Sequence, residues 1–526
     1  MLTAVEIYDT TLRDGAQGEG ISFSVEDKIK ITLKLDKLGI HYVEGGWPGS
    51  NPKDITYFKR IQEHRLVNTK IVAFGCTRKP NIEAAEDKNI QSILEAKVST
   101  AAIVGKSWDF HVTRALATSL FENLNMIKQS VAYLSQNGLA VFYDAEHFFD
   151  GFKANPEYAL ATLKAAREGG AKIIVLCDTN GGSLPHEIGP IIDQVRKEIN
   201  LPLGIHCHND GELAVANTIV AVQAGVSQVQ GTINGYGERC GNANLCSVIP
   251  NLTVKCKVAT IPFNNLVRLT ELARYVSELA NMHPLSSQPF VGSSAFAHKG
   301  GVHASAILKE ASTYEHIDPA IVGNQRRILV SELSGTSNLL YKYKEFNFIP
   351  PVTGEENRAI LKEIKELEHQ GYQFEGAEGS LELRLCKIYQ GYKELFKLEN
   401  LRVIIEKREN GTVYSEATIK ITINNHTVHT AAEGNGPVNA LDNALRKAIE
   451  EAYPEIKKMH LTDYKVRVLD EKDGTGAMVR VLIETGDGQR SWGTVGVSSN
   501  IIEASWQALV DSIAYGLLLK KNVPLR

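Results

Sequence analysis

Val5-Glu6-Ile7-Tyr8-Asp9-Thr10-Thr11-Leu12-Arg13-Asp14-Gly15 begins as a short β-rich run and empties into a polar cluster. The same phrase then recurs down the chain. Short apolar runs at Val5–Tyr8, Tyr42–Gly45, Lys70–Phe74, Ala101–Val104, Ala140–Asp144, Lys172–Leu176, Leu203–His206 and Gln228–Ile233 alternate with amphipathic stretches such as Val25–Leu38, Pro156–Glu168, His186–Ile199 and Glu212–Ala224. Strands that alternate with helices imply βαβ units and a parallel sheet. Eight units in about 260 residues is the count and size of a (β/α)8 TIM barrel, an α/β fold. A doubly wound sheet shares the phrase, and the polar residues separate the two. Reactive groups of a barrel gather where strands end and βα loops begin. Polar clusters fall on those ends here: Asp9–Gly15, Glu44-Gly45-Gly46-Trp47, Asp144-Ala145-Glu146, Cys177-Asp178-Thr179-Asn180, His206-Cys207-His208-Asn209-Asp210 and Gly235-Tyr236-Gly237-Glu238-Arg239.

Composition narrows the function classes. The 526 residues carry 57 Lys+Arg against 61 Asp+Glu, a net charge of −4, which leaves no electrostatic footprint for nucleic acid or an anionic membrane. No stretch approaches the roughly 18 apolar residues of a spanning helix. The start, Met1-Leu2-Thr3-Ala4-Val5, has no basic region ahead of an apolar one, so no signal peptide is expected. Seven cysteines without a CxxC pair read as a reduced, cytoplasmic protein with neither a disulfide framework nor a thiolate zinc cage.

His206 and His208 stand two apart on an extended run, so both imidazoles face one way and can share an ion. Two satisfied histidines near a strand end are the plainer alternative. Asp14 strengthens the metal reading, because closure of the barrel makes strands one, seven and eight neighbours. A carboxylate with two imidazoles and open positions suits a catalytic divalent ion. Arg13 would set a permanent cation beside whatever oxygen that ion polarises, or else form a salt bridge to a rim carboxylate. Gly235-x-Gly237-x-x-Cys240-Gly241 looks superficially like a nucleotide loop, but its third glycine is displaced and it follows the eighth strand rather than the first. Its glycines instead let backbone approach the rim and present Asn242 at a helix start.

Three signatures, Tyr8-Asp9-Thr10-Thr11-Leu12-Arg13-Asp14-Gly15-Ala16-Gln17, Gly204-Ile205-His206-Cys207-His208-Asn209-Asp210 and Asn234-Gly235-Tyr236-Gly237-Glu238-Arg239-Cys240-Gly241-Asn242, resemble those of the acyl-CoA-condensing, metal-dependent TIM barrels. These are the isopropylmalate, homocitrate and citramalate synthases, with hydroxymethylglutaryl-CoA lyase as a cousin. Phe296-Ala297-His298-Lys299-Gly300-Gly301-Val302-His303 resembles the synthase segment that reaches into a neighbouring subunit's site, and Glu44–Pro52 is most similar to the citramalate-forming members. The resemblance implies that Asp14, His206, His208 and Asn242 ligate a divalent metal (Mn, Mg, Co or Zn). It implies that Arg13 stabilises a developing alkoxide and that Thr179, with Gln17 and Tyr143, contacts the α-keto acid. Glu146 and His303, assisted by Tyr314, would prepare and deprotonate the acetyl-CoA methyl group. The implied reaction is a Claisen-type condensation of acetyl-CoA with pyruvate and water, on a route to isoleucine. A bulkier keto acid on the leucine route, a homocitrate-type reaction and metal-dependent carbon–carbon cleavage are the alternatives. Trp47, Ile103 and Tyr143 are candidates for walls that choose among keto acids.

Beyond the barrel (1–265) the pattern predicts helical linker subdomains over 266–395, with helices at Leu266–Ala280 and Glu355–Gln370. Residues 396–526 repeat a βββα unit twice: Pro437–Leu445 matches Ile501–Leu509 at Ala440/Ala504, Ala444/Ala508 and Leu445/Leu509, an offset of 64. Two copies are too few for a solenoid and predict a pseudo-symmetric α+β module. It resembles the C-terminal regulatory domain of the same synthases. That implies a homodimer and an amino-acid effector, with a purely structural dimerisation module as the alternative.

Overall fold

The computed structural model describes residues 3–331, 334–345, 354–389, 394–469 and 476–520. The chain divides into two compact units, Met1–Phe296 with His316–Arg326, and Ala297–Glu315 with Arg327–Arg526.

In the first unit eight parallel strands close on themselves: β1 (Glu6–Asp9), β2 (Tyr42–Gly46), β3 (Lys70–Cys76), β4 (Thr100–Lys106), β5 (Ala140–Glu146), β6 (Ile173–Asp178), β7 (Leu203–Cys207) and β8 (Gln228–Gly231). β1 closes the barrel against β8 in the register Glu6↔Gln228 to Asp9↔Gly231. The crossover helices are bounded by local chemistry. Ser24 and Asp27 form a reciprocal capping box before helix Val25–Leu38, and Gly39 ends it in the left-handed region at φ 98°. Asn155 followed by Pro156 starts helix Pro156–Gly169, whose N-cap side chain accepts the Tyr158 N–H. Strand alternation sorts the side chains into two cores. Ile7, Val43, Ile103, Tyr143, Ile174 and Ile205 face the helices. Tyr8, Tyr42, Val72, Phe74, Phe142 and Val175 fill the barrel interior. The interior plug is apolar, and the polar residues lie above it at the carboxyl ends of the strands.

The expected boundary at 265 does not coincide with that of a compact unit. Phe263–Arg268 is a 3-10 turn rather than the start of a helix, and helix Leu269–Leu279 packs beside Val25–Leu38 as part of the barrel unit. Thr270 Oγ1 donates to the Val322 carbonyl at 2.7 Å, which ties Pro319–Val322 to the same body. Strand eight stops at Gly231, because Ile233–Gly235 turns as a 3-10 segment with Asn234 at φ 64°.

In the second unit, helices Thr336–Glu345, Gly354–His369 and Glu378–Tyr389 surround Leu339, Tyr343, Ile360, Ile364 and Leu381. Two antiparallel three-stranded sheets follow, Lys397–Lys407/Val413–Ile423/His426–Gly434 and His460–Val468/Val479–Gly486/Ser491–Ser498, each backed by a helix, Pro437–Ile449 and Ile501–Lys520. The repeat extends to irregularities: the first strand of each copy carries a register shift, at Leu398/Asn400 and at Leu461/Asp463. Ala440, Ala444 and Leu445 share one buried core with Ala504, Ala508 and Leu509. No helix among the described residues is long and apolar enough to cross a membrane.

Candidate active site at the barrel rim

β1 runs out at Asp9 and the chain turns so that Asp14 caps the 3-10 segment Gly15–Gln17. β7 carries His206 inside the barrel, with His208 one residue past its end. Ligand atoms of Asp14, His206 and His208 all lie within 4.8 Å of one another, and all three residues are buried. Asp14 Oδ2 is 3.7 Å from His206 Nε2 and 4.0 Å from His208 Nε2, and the two Nε2 atoms are 3.4 Å apart. His206 Nδ1 lies 2.9 Å from Gln230 Oε1; an amide oxygen only accepts, so Nδ1 is the donor and Nε2 is the ring atom turned to the cluster. Burial, with His206 adding to it, pushes the His208 ring down to about 4, so that ring is neutral near pH 7. Burial alone would raise the Asp14 carboxyl, but Arg13, His206, His208 and the Asn242 amide together hold it below the usual carboxylate range.

The glycine-rich loop after β8 brings Asn242 to this cluster. A Cβ on Gly237 would lie 2.1 Å from Asn242 Nδ2, and one on Gly241 would lie 1.9 Å from the Gly235 carbonyl oxygen. Asn242 precedes helix Leu245–Pro250 and is held by an antiparallel bridge to His208. Its Nδ2 donates to Asp14 Oδ1 at 2.8 Å and to the Tyr236 carbonyl at 3.2 Å. Those two acceptors orient the amide, and its Oδ1 is left buried without a hydrogen-bond partner. An orphaned carbonyl oxygen beside a carboxylate and two imidazoles fits a divalent cation by donor type.

Arg13 is fixed from three sides. Its Nε donates to Glu44 Oε2 at 2.6 Å, its Nη1 to Asp14 Oδ2 at 2.9 Å, and its guanidinium lies 3.9 Å from the centroid of the Phe74 ring. Glu44 is fully buried and also accepts from Tyr8 OH at 2.6 Å and from Thr10 Oγ1. The metal-adjacent cation and the rim salt bridge are therefore the same side chain. Gln17 is exposed, its Oε1 3.4 Å from Arg13 Nη1.

These groups open onto a cavity of about 400 Å³ that Arg13, Asp14, Gln17, Glu146, Thr179, His206 and His208 all line. Thr179 Oγ1 accepts the His147 backbone N–H at 2.8 Å, which leaves its own hydrogen free to donate. Glu146 pairs with Lys106, directly across the β4–β5 register. Lys106, Trp47, Phe74, Asp144 and Arg239 also line the cavity and were not singled out from the sequence as site residues, Trp47 excepted as a wall candidate. Asp144 is a buried carboxyl that burial, reinforced by the Glu44 charge, pushes up to about 8. The signal for it was alternation: Glu146 faces the interior, so Asp144, two residues back, faces it too.

The same parity corrects one expectation. Tyr143 does not line the cavity; it is fully buried on the helix-facing side of β5, with its hydroxyl 3.2 Å from Ser107 Oγ. Ile103 lies on that side as well, which leaves Trp47 as the cavity wall among the three candidates. His303 and Tyr314 belong to the second unit, where His303 lies on helix Gly301–Lys309 and the two rings stack with centroids 4.0 Å apart.

Comparison with known proteins agrees with this architecture. A family model for HMGL-like proteins matches residues 4–276, one described as a homocitrate synthase post-HMGL domain matches 290–372, and one for the LeuA allosteric (dimerisation) domain matches 375–517. The (R)-citramalate synthase of Geobacter sulfurreducens is 56% identical over 521 residues, 98% of each chain. That of Aquifex aeolicus is 55% identical over 520 residues, again 98% of each. The 2-isopropylmalate synthase of Methanocaldococcus jannaschii is 32% identical over 517 residues, 97% of this chain and 94% of the other. With the closed barrel, the clustered Asp14, His206 and His208, and full-length identity above one half, the chain belongs to the (R)-citramalate synthase family.

Proposed function

We propose that this chain joins the methyl carbon of acetyl-CoA to the keto carbon of pyruvate and, with water, releases (R)-citramalate and free CoA. The observation that carries the reading is the convergence of Asp14, His206 and His208 beside Arg13 in one cavity, in a chain 56% identical along 98% of its length to an (R)-citramalate synthase. Asp14, His206, His208 and the Asn242 carbonyl oxygen would hold the divalent ion, whose chemistry when bound is to polarise a keto group and template an oxo acid.

The chain's own residues supply the rest. Arg13 presents a guanidinium, aimed by Glu44 and Phe74, where negative charge grows on the keto oxygen. The free Thr179 hydroxyl hydrogen donates to the oxo acid's carboxylate. A methyl group beside a thioester is a weak acid, so a base must be positioned closely and a donor must meet the thioester oxygen. Lys106, paired with Glu146, brings ammonium donors to the rim for the second task, and Glu146 would help prepare the methyl group. His303, with Tyr314 stacked on it, is read as the base on the strength of its motif, acting in the site of a second copy. The methyl carbanion equivalent attacks the keto carbon, the keto oxygen takes up a proton, and water then cleaves the thioester to carboxylate and thiol. The C-terminal module is the proposed seat of homodimerisation and of an amino-acid effector.

A free-CoA assay over pyruvate, 2-oxoisovalerate, 2-oxobutyrate and 2-oxoglutarate tests the reading. The highest kcat/KM is expected with pyruvate. Preference for 2-oxoisovalerate would move the chain to the isopropylmalate reaction, and no CoA release with any of the four would end the proposal.

A further inference from the structure

The catalytic cavity is not alone at this end of the barrel. A second cavity of about 210 Å³ lies beside it, lined by Ile21, Phe23, Asn51 and Asp54 among others, and three residues line both: Arg13, Gln17 and Trp47. Arg13 is committed to Glu44 and Asp14, and Gln17 is an exposed polar side chain. The apolar part of the dividing wall is the Trp47 indole.

That indole is held in place. Its Nε1–H donates to Asn89 Oδ1 at 2.5 Å, and its backbone N–H donates to Asp54 Oδ2 at 2.9 Å. Its ring meets Phe74 edge-on with centroids 5.4 Å apart, and Phe74 is the ring that carries the Arg13 guanidinium. Gly46 makes the placement possible: at φ 145° a Cβ there would strike the Asp54 carboxylate at 2.4 Å. The indole is therefore one ring removed from the cation that touches Asp14.

An oxo acid has two polar ends, the keto oxygen and the carboxylate, and one apolar substituent that must rest on an apolar wall. We propose that Trp47 determines the size of the 2-oxo acid accepted, by closing the second cavity off from the catalytic one. The inference rests on the condensing reaction proposed above. Shortening Trp47 joins the two cavities and makes room for a branched substituent, while the small methyl of pyruvate loses its wall.

The test measures kcat/KM for pyruvate and 2-oxoisovalerate in the full-length protein, by CoA release, for Trp47→Ala, Trp47→Leu and Trp47→Phe. One methylene in an apolar pocket discriminates about 10- to 200-fold. The 2-oxoisovalerate-to-pyruvate ratio is expected to rise by about 10-fold or more in the Ala and Leu variants, and by less in Phe. Asn89→Ala frees the indole without shortening it and is expected to move the ratio in the same direction by a smaller factor. Ala and Leu variants that melt as the wild type does, with the ratio within about 3-fold of it, would overturn the proposal. Should both fail to fold, an unmoved ratio in Asn89→Ala overturns it instead. Turnover of pyruvate by the unmutated protein is read in the same assay, so failure of the reaction itself is distinguished from failure of Trp47 as the wall.

Discussion

The barrel and the C-terminal module are both made by repetition, and they put their polar residues to different uses. In the barrel every strand runs the same way, so eight strand ends share one rim and whatever polar residues terminate them meet there. Asp14, Glu44, Glu146, Thr179 and His206 come from five different strands or their loops. In the module the strands are antiparallel and each hairpin sends the next end to the opposite side. What accumulates there is a face: Ala417, Ile419 and Ile421 of one sheet, Val481 and Ile483 of the other, and the alanines of both helices. Among the described residues, the group able to hold a metal lies in the barrel. A parallel repeat gathers ends at one rim; an antiparallel repeat gathers surfaces into one shared core.

The contrast can be broken most severely at its chemical end. Asp14→Ala or His208→Ala is expected to lower CoA release on the order of 10³-fold or more, since the ion's polarising role is lost. Thermal melts should be unchanged, because the cluster sits above the apolar plug rather than within it. If the C-terminal module takes an amino-acid effector as proposed, titration calorimetry with isoleucine and leucine should give the same result on the Asp14→Ala protein as on the unmutated chain. Normal turnover in either variant would remove the metal assignment. Arg13→Ala comes next, at about 10²–10³ in kcat, the usual cost of one charge-stabilising donor, and with a lowered melting temperature because Glu44 is left buried without its counter-ion.

A smaller effect sharpens the picture of the barrel interior. Asp144 has its carboxyl raised to about 8 in the folded chain, against an ordinary value near 4 when unfolded. Between those values the native state holds a proton the unfolded chain has lost, so this group's contribution to stability falls as pH rises. Asp144→Asn removes that dependence, and the melting temperature of the variant relative to the unmutated protein should climb from pH 5 to pH 8. A gap that stays constant across that range would show the carboxyl to be ionised throughout. Smallest of all is Tyr143→Phe, which loses the 3.2 Å contact to Ser107 and a hydrogen bond with Thr162. It should cost about 1 kcal/mol of stability or less and leave the KM for the keto acid unchanged.

Tyr143 and Asp144 also mark how far sequence reasoning reached. Element existence was readable because the period changes from two to 3.6 at each strand–helix junction, and Val25–Leu38 has the bounds that its caps set. The trio Asp14, His206 and His208 was readable because a spacing of two on a strand settles relative direction without knowing which face is inside. Absolute direction is harder: the first part of a strand such as Ala140–Glu146 is apolar on both faces, since one packs on helices and the other on the barrel plug, and only Asp144 and Glu146 toward its end mark the cavity side. Taking Glu146 as interior settles it: Tyr143, three residues back, faces the helices, and Asp144, two back, faces the cavity. Glu44 and Lys106 were hidden differently. Their roles come from cross-strand register, Glu44 reaching Arg13 from the neighbouring strand and Lys106 standing opposite Glu146, and register belongs to the closed sheet rather than to any one segment. The alternating strands of the C-terminal repeats, half exposed, gave no such trouble.

One feature of the Asp14 carboxylate bears on how the protein would be handled at the bench. Its Oδ1 is taken by the Asn242 amide, so Arg13 and both imidazoles converge on the single remaining oxygen, Oδ2. Any ion arriving there competes with a built-in guanidinium for one monodentate contact. Such a seat favours replaceable occupancy: dialysis against a chelator should empty it and lower the melting temperature by no more than that occupancy stabilises the fold, and the species refilling it would reflect what the surrounding solution offers as much as any choice made by the polypeptide.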